Sequence, residues 1–539
     1  MPNVARRTID RRRFLQGAAG TAALTVVAGR APVLWAGAPS LPADPFTLGV
    51  GSGDPLDDGF VLWTRLAPAP LEGGGMPDAE VPVAWEVATD DSFAEVVAEG
   101  SVVASPAFAH SVHVDVRGLE PDRWYTYRFS AGGFDSPAGR ARTTPAGCAG
   151  SAMRFAFASC QSYASGYYTA HAALAAEDVD VVLFLGDYIY EGGGSGVRTH
   201  PGGEASTLAA YRNRYALYRS DADLRASHAA RPWVVVWDDH EVENNYAGAF
   251  DENGGDPAAF LVRRAEAYRA WWEHQAVRMP APTGPDLTIF RRIDWGGLVR
   301  IHALDGRQYR SNQVSDETLV PPSPEMADPA RTMLGDDQER WLIEGMEDSQ
   351  ATWNVLANQV VFASMPLAGL INPDQWDGYT AQRQRLVERF GSGAVANPVI
   401  VTGDIHASGI AEIKADWADP DSPTVATELV GTSISSSFPA ELVDVAEQVI
   451  AGIPWVRYVN ARQRGYTVCD VTHERLEAIY RVVDTVSEPT SGVSTATTYT
   501  IEAGVPGACR TGGSGSTGGG GSGSAPAADP TRVTPTFTG

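Results

Sequence analysis

The sequence predicts an α/β protein in which a small all-β sandwich precedes a layered α/β domain. Over residues 44–147, short alternating segments are separated by Gly, Pro and Asp turns. From Arg154 onward, apolar runs alternate with Ala-rich or amphipathic segments, the pattern of βαβ units. Those apolar runs also end on acids, histidines, a thiol and a phenol, at the place where a parallel sheet binds its ligand.

Residues 1–38 contain "DRRRFLQGAAGTAALTVVAG", an arginine pair within Arg11–Arg13 followed by Phe14-Leu15 and a weakly apolar run, so they read as a twin-arginine signal peptide. The expectation is a secreted protein, passed folded through the twin-arginine export machinery and loaded with metal in the cytoplasm. In the sandwich, "FVLWTRL", "VPVAWEVA", "SVHVDVRGL" and "RWYTYRFSAG" are the strands. "GLEPDRWYTYRF" resembles the tyrosine-bearing strand of fibronectin-type modules, which makes the sandwich fibronectin- or Ig-like.

The α/β domain spans residues 151–485. Strands are expected at Arg154–Ser159, Val179–Leu185, 233–237, 297–304, 352–364 and 397–403. "YYTAHAALAAED" and "PAAFLVRRAEAYRAWWEHQAV" are cover helices, and the aromatics of the second are packing rather than a ligand box. A helix beginning at Pro439, with Leu442, Val445 and Val449 on one face, is expected to pack over the catalytic domain. Strands follow to about residue 510, and residues 511–539 read as a flexible Gly/Ser-rich tail without a core.

Charge narrows the function. The 539 residues carry a net charge of −25, and about −30 without residues 1–38, which argues against a nucleic-acid-binding domain or contact with anionic lipid. No run of 18 or more uncharged apolar residues follows the amino terminus, so a soluble chain without a transmembrane segment is expected, acting on small molecules as a monomer. Of four cysteines, Cys160 ends an apolar strand, while two of Cys148, Cys469 and Cys509 are available for one disulfide.

Cys160 follows the first strand, Asp187 and Tyr190 the second, "DDHEVENNY" (238–246) the third and "GDIHAS" (403–408) the last. Singly these read as a buried thiol, a helix cap or a core histidine. Together they point to metal.

Here the residues resemble a family. Gly186-Asp187-x-x-Tyr190 is the signature of purple acid phosphatases within the metallophosphoesterase superfamily. "FASC", "LGDYIYE", "WDDHEVENN" and "TGDIHAS", in that order, are similar to PhoD-type alkaline phosphatases, and "LDGRQYR", "GTSISS" and "RGYTVCDVT" extend the match over roughly residues 45–485. The resemblance implies that Cys160, Tyr190 and His406 bind Fe(3+), with Asp187 bridging to a second cation. Asp239 would hold that cation, with Asp404 in place of the usual histidine and Asn244 as a further oxygen. His240 would face the scissile phosphate, and Arg307 and Arg310 are weaker candidates for phosphate contact.

Carboxylate and amide oxygens in place of nitrogen make the second site hard, which favours Ca(2+) over Zn(2+). The function implied is a secreted, metal-dependent alkaline phosphatase acting on phosphomonoesters and phosphodiesters. A phosphodiesterase or phospholipase-D-like enzyme using the same site, and more remotely a non-catalytic metal- and glycan-binding module, are the alternatives.

Overall fold

The computed structural model describes residues 41–511. The expected signal peptide and nearly all of the expected tail lie outside these residues.

Two sheets face each other across one apolar core. The first has ten strands, and at its centre Ala152–Ala158, Val181–Phe184 and Pro232–Val235 run parallel. Val181–Phe184 is apolar and wholly buried, as a strand covered on both faces must be. The second has seven strands, with Val299–Ala303, Trp353–Ala357, Pro398–Thr402 and Thr424–Val430 parallel in spatial sequence. Side-chain alternation fixes its two faces. Val355, Val399 and Val401 join the core shared with Phe155 and Val182 of the first sheet, whereas Leu356 and Ile400 point to the helices Gly335–Glu347 and Thr380–Gly391.

The amino-terminal strands are built into this framework. Val81–Ala88, Val96–Ala104, Trp124–Ala131, Phe134–Asp135 and Gly139–Arg142 form a five-stranded sheet packed on Val50–Leu56, Gly59–Arg65 and Ser111–Val116. Tyr125 hydroxyl bonds to the backbone of Glu120, closing the corner that its strand pattern implied. The second sheet of the sandwich does not end there. Val50–Leu56 pairs parallel with Pro232–Val235, so three sandwich strands extend the catalytic sheet. Gly53 makes this possible, because a β-carbon there would come within 2.1 Å of the Ala276 carbonyl oxygen and 2.7 Å of that of Trp233.

Three expectations are corrected. The strand read across 352–364 stops at Ala357, and the later part of that stretch is held by side chains instead: the Phe362 and Ala363 amides donate to the buried Glu428 carboxylate at 2.7 and 2.8 Å. All four cysteines are free thiols, so Cys148, Cys469 and Cys509 supply no disulfide. Pro439 caps a short 3₁₀ turn, Ala440–Leu442, ahead of the helix Val443–Ala451, and Val445 is 59% exposed rather than packed. The helix Pro257–His274 does use its aromatics for packing, with Tyr268 stacked on Trp237 at 3.9 Å. Among the described residues, no helix is long and apolar enough to cross a membrane.

Candidate active site

Four strand ends converge between the two sheets, where the isolated β-bridge Ser159–Ser433 joins them. Three of the ends turn sharply. Cys160, Asp187, Asp404 and His406 adopt φ values of 58°, 57°, 66° and 55°, a left-handed conformation that costs a non-glycine residue about 1 kcal/mol or more. Gly186 has φ 110°, and a β-carbon on it would lie 2.4 Å from that of Asp238. Only glycine lets the second and third strand ends approach this closely.

Two donor groups result. Cys160, Asp187 and His406 place one ligand atom each within 4.8 Å of one another, and so do Asp187, Asp239 and His240; all five residues are buried. Asp187 belongs to both. Tyr190 hydroxyl donates to Asp187 Oδ2 at 3.0 Å, lies 3.2 Å from His406 Nε2 and accepts from Ser436 Oγ at 2.7 Å. His406 Nδ1 donates to the Ser437 carbonyl at 3.1 Å, which turns the Nε2 lone pair toward Cys160 and Asp187.

Burial sets the protonation of these groups. It pushes the Cys160 thiol and the Tyr190 phenol well up, with Asp187 adding to both, and it raises Asp187 itself. It lowers His406 to about 3, with Arg464 next in effect. His240 goes the other way. Burial opposes its charge, but Glu191, at 2.7 Å from Nδ1, and then Asp239 and Asp187 hold the imidazolium well above its ordinary value. Its ring also lies 4.1 Å from that of Tyr190.

The donor set fits cations. Asp187 Oδ1, Asp238 Oδ2 and Asn244 Oδ1 are buried oxygens without hydrogen-bond partners, which is costly unless positive charge faces them. A thiol, a phenol, a carboxylate and an imidazole together suit a trivalent transition metal. Asp404 stands outside both groups, accepting from Gln375 Nε2 at 2.6 Å, but remains buried beside them.

Arg307 and Arg310 face carboxylates in this structure. Arg307 is fully buried and holds Asp238 and Asp374, the latter through two bonds of 2.7 and 3.0 Å, while Arg310 donates to Asp374 Oδ1 at 2.6 Å. Buried Asp238 and Asp374 engage both cations, while Arg310 Nη1 is a buried donor without a hydrogen-bond partner. Sequence reasoning missed Glu191, Glu241, Gln375 and Ser436. Glu241 accepts from the amides of Asp187, Tyr188 and Asp238, fixing two strand ends at once, and burial raises it to about 8. Both glutamates lie within the motif stretches already singled out, Glu191 in "GDYIYEGG" and Glu241 in "DDHEVENNY".

The PhoD-like phosphatase family model matches residues 155–480, and that of the family's amino-terminal domain matches 32–145. The chain belongs to the PhoD-like phosphatases. It is 46% identical over 510 residues to alkaline phosphatase D of Bacillus subtilis (strain 168), covering 91% of this chain and 87% of that protein. A solved structure of PhoD superposes with a TM-score of 0.85 at 45% identity, over 89% of this chain and 95% of that one. The purple acid phosphatase PPD1 of yellow lupin (Lupinus luteus) shares the fold at 11% identity, with a TM-score of 0.52 over 84% and 74% of the two chains. This PhoD-like chain is thus a phosphoric ester hydrolase of the alkaline phosphatase type, with a metallophosphoesterase-like fold and an amino-terminal β domain.

Proposed function

We propose that this phosphatase is exported and metal-dependent, and that it hydrolyses phosphodiesters as well as phosphomonoesters with one centre. The observation that carries the metal dependence is the membership of Asp187 in two buried donor groups, the arrangement a bridging carboxylate requires. Cys160, Tyr190 and His406 would hold Fe(3+) with Asp187. Asp239, Asn244 and Asp404 would give the second cation an oxygen-rich setting suited to Ca(2+). Bound there, two cations supply Lewis-acid charge to the phosphoryl oxygens and acidify the attacking water.

The chain's own residues do the rest. Glu191 fixes the His240 ring through Nδ1 and keeps it protonated, so the imidazolium can donate to a phosphoryl or leaving-group oxygen. The Asp239 carboxylate is oriented by two amides, from His240 at 2.9 Å and Asn245 at 2.7 Å, with Arg307 and His240 holding it charged against its burial. The arginine pair within Arg11–Arg13 and the weakly apolar run after it support export by the twin-arginine route.

The test is turnover of 4-nitrophenyl phosphate and of bis(4-nitrophenyl) phosphate by the mature chain. Chelation with EGTA is expected to abolish both, and Ca(2+) to restore both better than Zn(2+) does. Full activity after chelation would overturn the metal assignment.

A further inference from the structure

Arg464 opens the stretch "RGYTVCDVT", to which the metal assignments give no role. The strand that follows it, Gly465–Thr472, pairs antiparallel with Ala152–Ala158, the strand that leads to Cys160. At the junction the Gly465 amide donates to the Ser433 carbonyl at 2.9 Å, and Ser433 bridges to Ser159. Arg464 is thereby carried to the place where the two sheets meet, beside the first donor group.

Its buried guanidinium serves neutral acceptors. Nη1 donates to the carbonyl of His406, to Thr432 Oγ1 at 3.1 Å and to the Gln463 carbonyl at 3.1 Å, while Nη2 donates to the Ala461 carbonyl at 2.9 Å. Among the described residues it pairs with no carboxylate, whereas the buried Arg307, Arg310 and Arg383 each hold one. Burial lowers Arg464 to about 10, so it is still a cation at neutral pH, and the group that favours its charge is Cys160. A buried charge without a counter-ion is costly. Carbonyls call for donors, not for charge, so these hydrogen bonds leave the positive charge itself unexplained.

Iron in the first donor group would explain it. A thiolate, a phenolate and a carboxylate hold Fe(3+), but they also donate negative charge to it and so weaken its pull on a phosphoryl oxygen. Groups around the ligands tune a metal in the opposite sense when they are positive. We propose that Arg464 is a positioning residue of the iron site: it fixes His406 through that residue's carbonyl, and its permanent charge beside His406 and Cys160 offsets the anionic ligands, raises the reduction potential of the bound iron and keeps it a strong Lewis acid. This role rests on the iron assignment proposed above.

The experiment is a redox titration of iron-loaded enzyme, followed by its visible absorption, with iron analysis on every sample. Arg464→Gln removes the charge and is expected to lower the midpoint potential, so that at the wild-type midpoint the ratio of Fe(2+) to Fe(3+) falls about tenfold, the scale of one nearby buried charge. Arg464→Lys keeps the charge and is expected to titrate close to wild type, although it loses the forked hydrogen bonds and melts at a lower temperature. Thr432→Val removes one acceptor of the guanidinium without touching its charge, and is likewise expected to leave the potential in place. Equal potentials in wild type and Arg464→Gln, each with one iron per chain, would overturn the role of Arg464 alone. So would a potential that Arg464→Lys lowers as far as the tenfold shift, a result that decides the matter even where Arg464→Gln does not fold. A wild type that binds no iron would overturn the iron assignment, and this role with it.

Discussion

Two buried charge clusters lie side by side in this protein, and they are built on opposite terms. Around Arg307, cation and anion are matched: its guanidinium spans Asp238 and Asp374, and Arg310 adds a second cation to Asp374. Around Asp187 the match is incomplete. One of its oxygens is buried without a partner, and Cys160 and Tyr190 beside it can only add negative charge when ionised. The first cluster carries its own cations and is nearly finished as a fold element, with only Asp238 Oδ2 and Arg310 Nη1 left unpartnered, whereas the second is finished only when cations arrive. The difference separates residues that shape the site from residues that do its chemistry, even though all of them are equally buried.

Breaking the shared member of the unfinished cluster should have the largest effect. Asp187→Asn keeps the volume but removes the charge common to both donor groups, so both metals should be lost together. We expect kcat/KM on 4-nitrophenyl phosphate to fall by about 10³-fold or more, the scale of losing a principal electrostatic contributor, with metal content measured in the same sample. Retention of either metal at full occupancy would show that Asp187 is not shared.

Breaking the finished cluster should act on stability instead. Arg307→Met leaves Asp238 buried without its cation and Asp374 with Arg310 alone, a change that costs about 3–5 kcal/mol. Denaturant unfolding measures this, and Arg310→Lys should cost less while leaving KM unchanged. A raised KM in Arg310→Lys with unaltered stability would return Arg310 to the substrate.

A smaller effect comes from two buried histidines that belong to neither cluster. Burial lowers His171 to about 3 and His302 to about 4. Both are neutral in the folded protein, while the unfolded chain takes up protons below about pH 6.5. Stability should therefore fall as pH drops from 6.5 toward 4, by up to about 1.4 kcal/mol per pH unit for each such histidine. The melting temperature between pH 7.5 and 5 reads this out, and His302→Gln should reduce the slope.

How much of this was legible in the sequence depends on which physical signal each residue leaves. Val181–Phe184 is an apolar run ending on Gly186-Asp187, and both the strand and the donor could be read from it. Val50–Leu56, "VGSGDPL", could not, because its parallel pairing depends on the absence of side chains rather than on apolar ones. The left-handed turns at Cys160, Asp404 and His406 leave no mark in the residue types. Arg307 and Arg310 were only half legible for a related reason: a sequence displays a cation but not the acids it will face, and Asp374 lies more than sixty positions away. Likewise Leu442, Val445 and Val449 do share a helix face, but periodicity alone does not say whether that face meets protein or an open groove.

The shared cluster can be tested most directly through colour. A phenolate or thiolate bound to Fe(3+) absorbs visible light by charge transfer, so iron-loaded protein should be coloured. Tyr190→Phe removes the phenol while keeping most of the ring packing, at a cost of less than about 1.5 kcal/mol. The measurement is a visible absorption spectrum with iron analysis on wild type and Tyr190→Phe. The expected result is a visible band in the wild type that weakens or shifts in the variant while the fold is retained. A colourless wild type containing one iron per chain, or a variant spectrum identical to it, would contradict the placement of Tyr190 and Asp187 at a common metal.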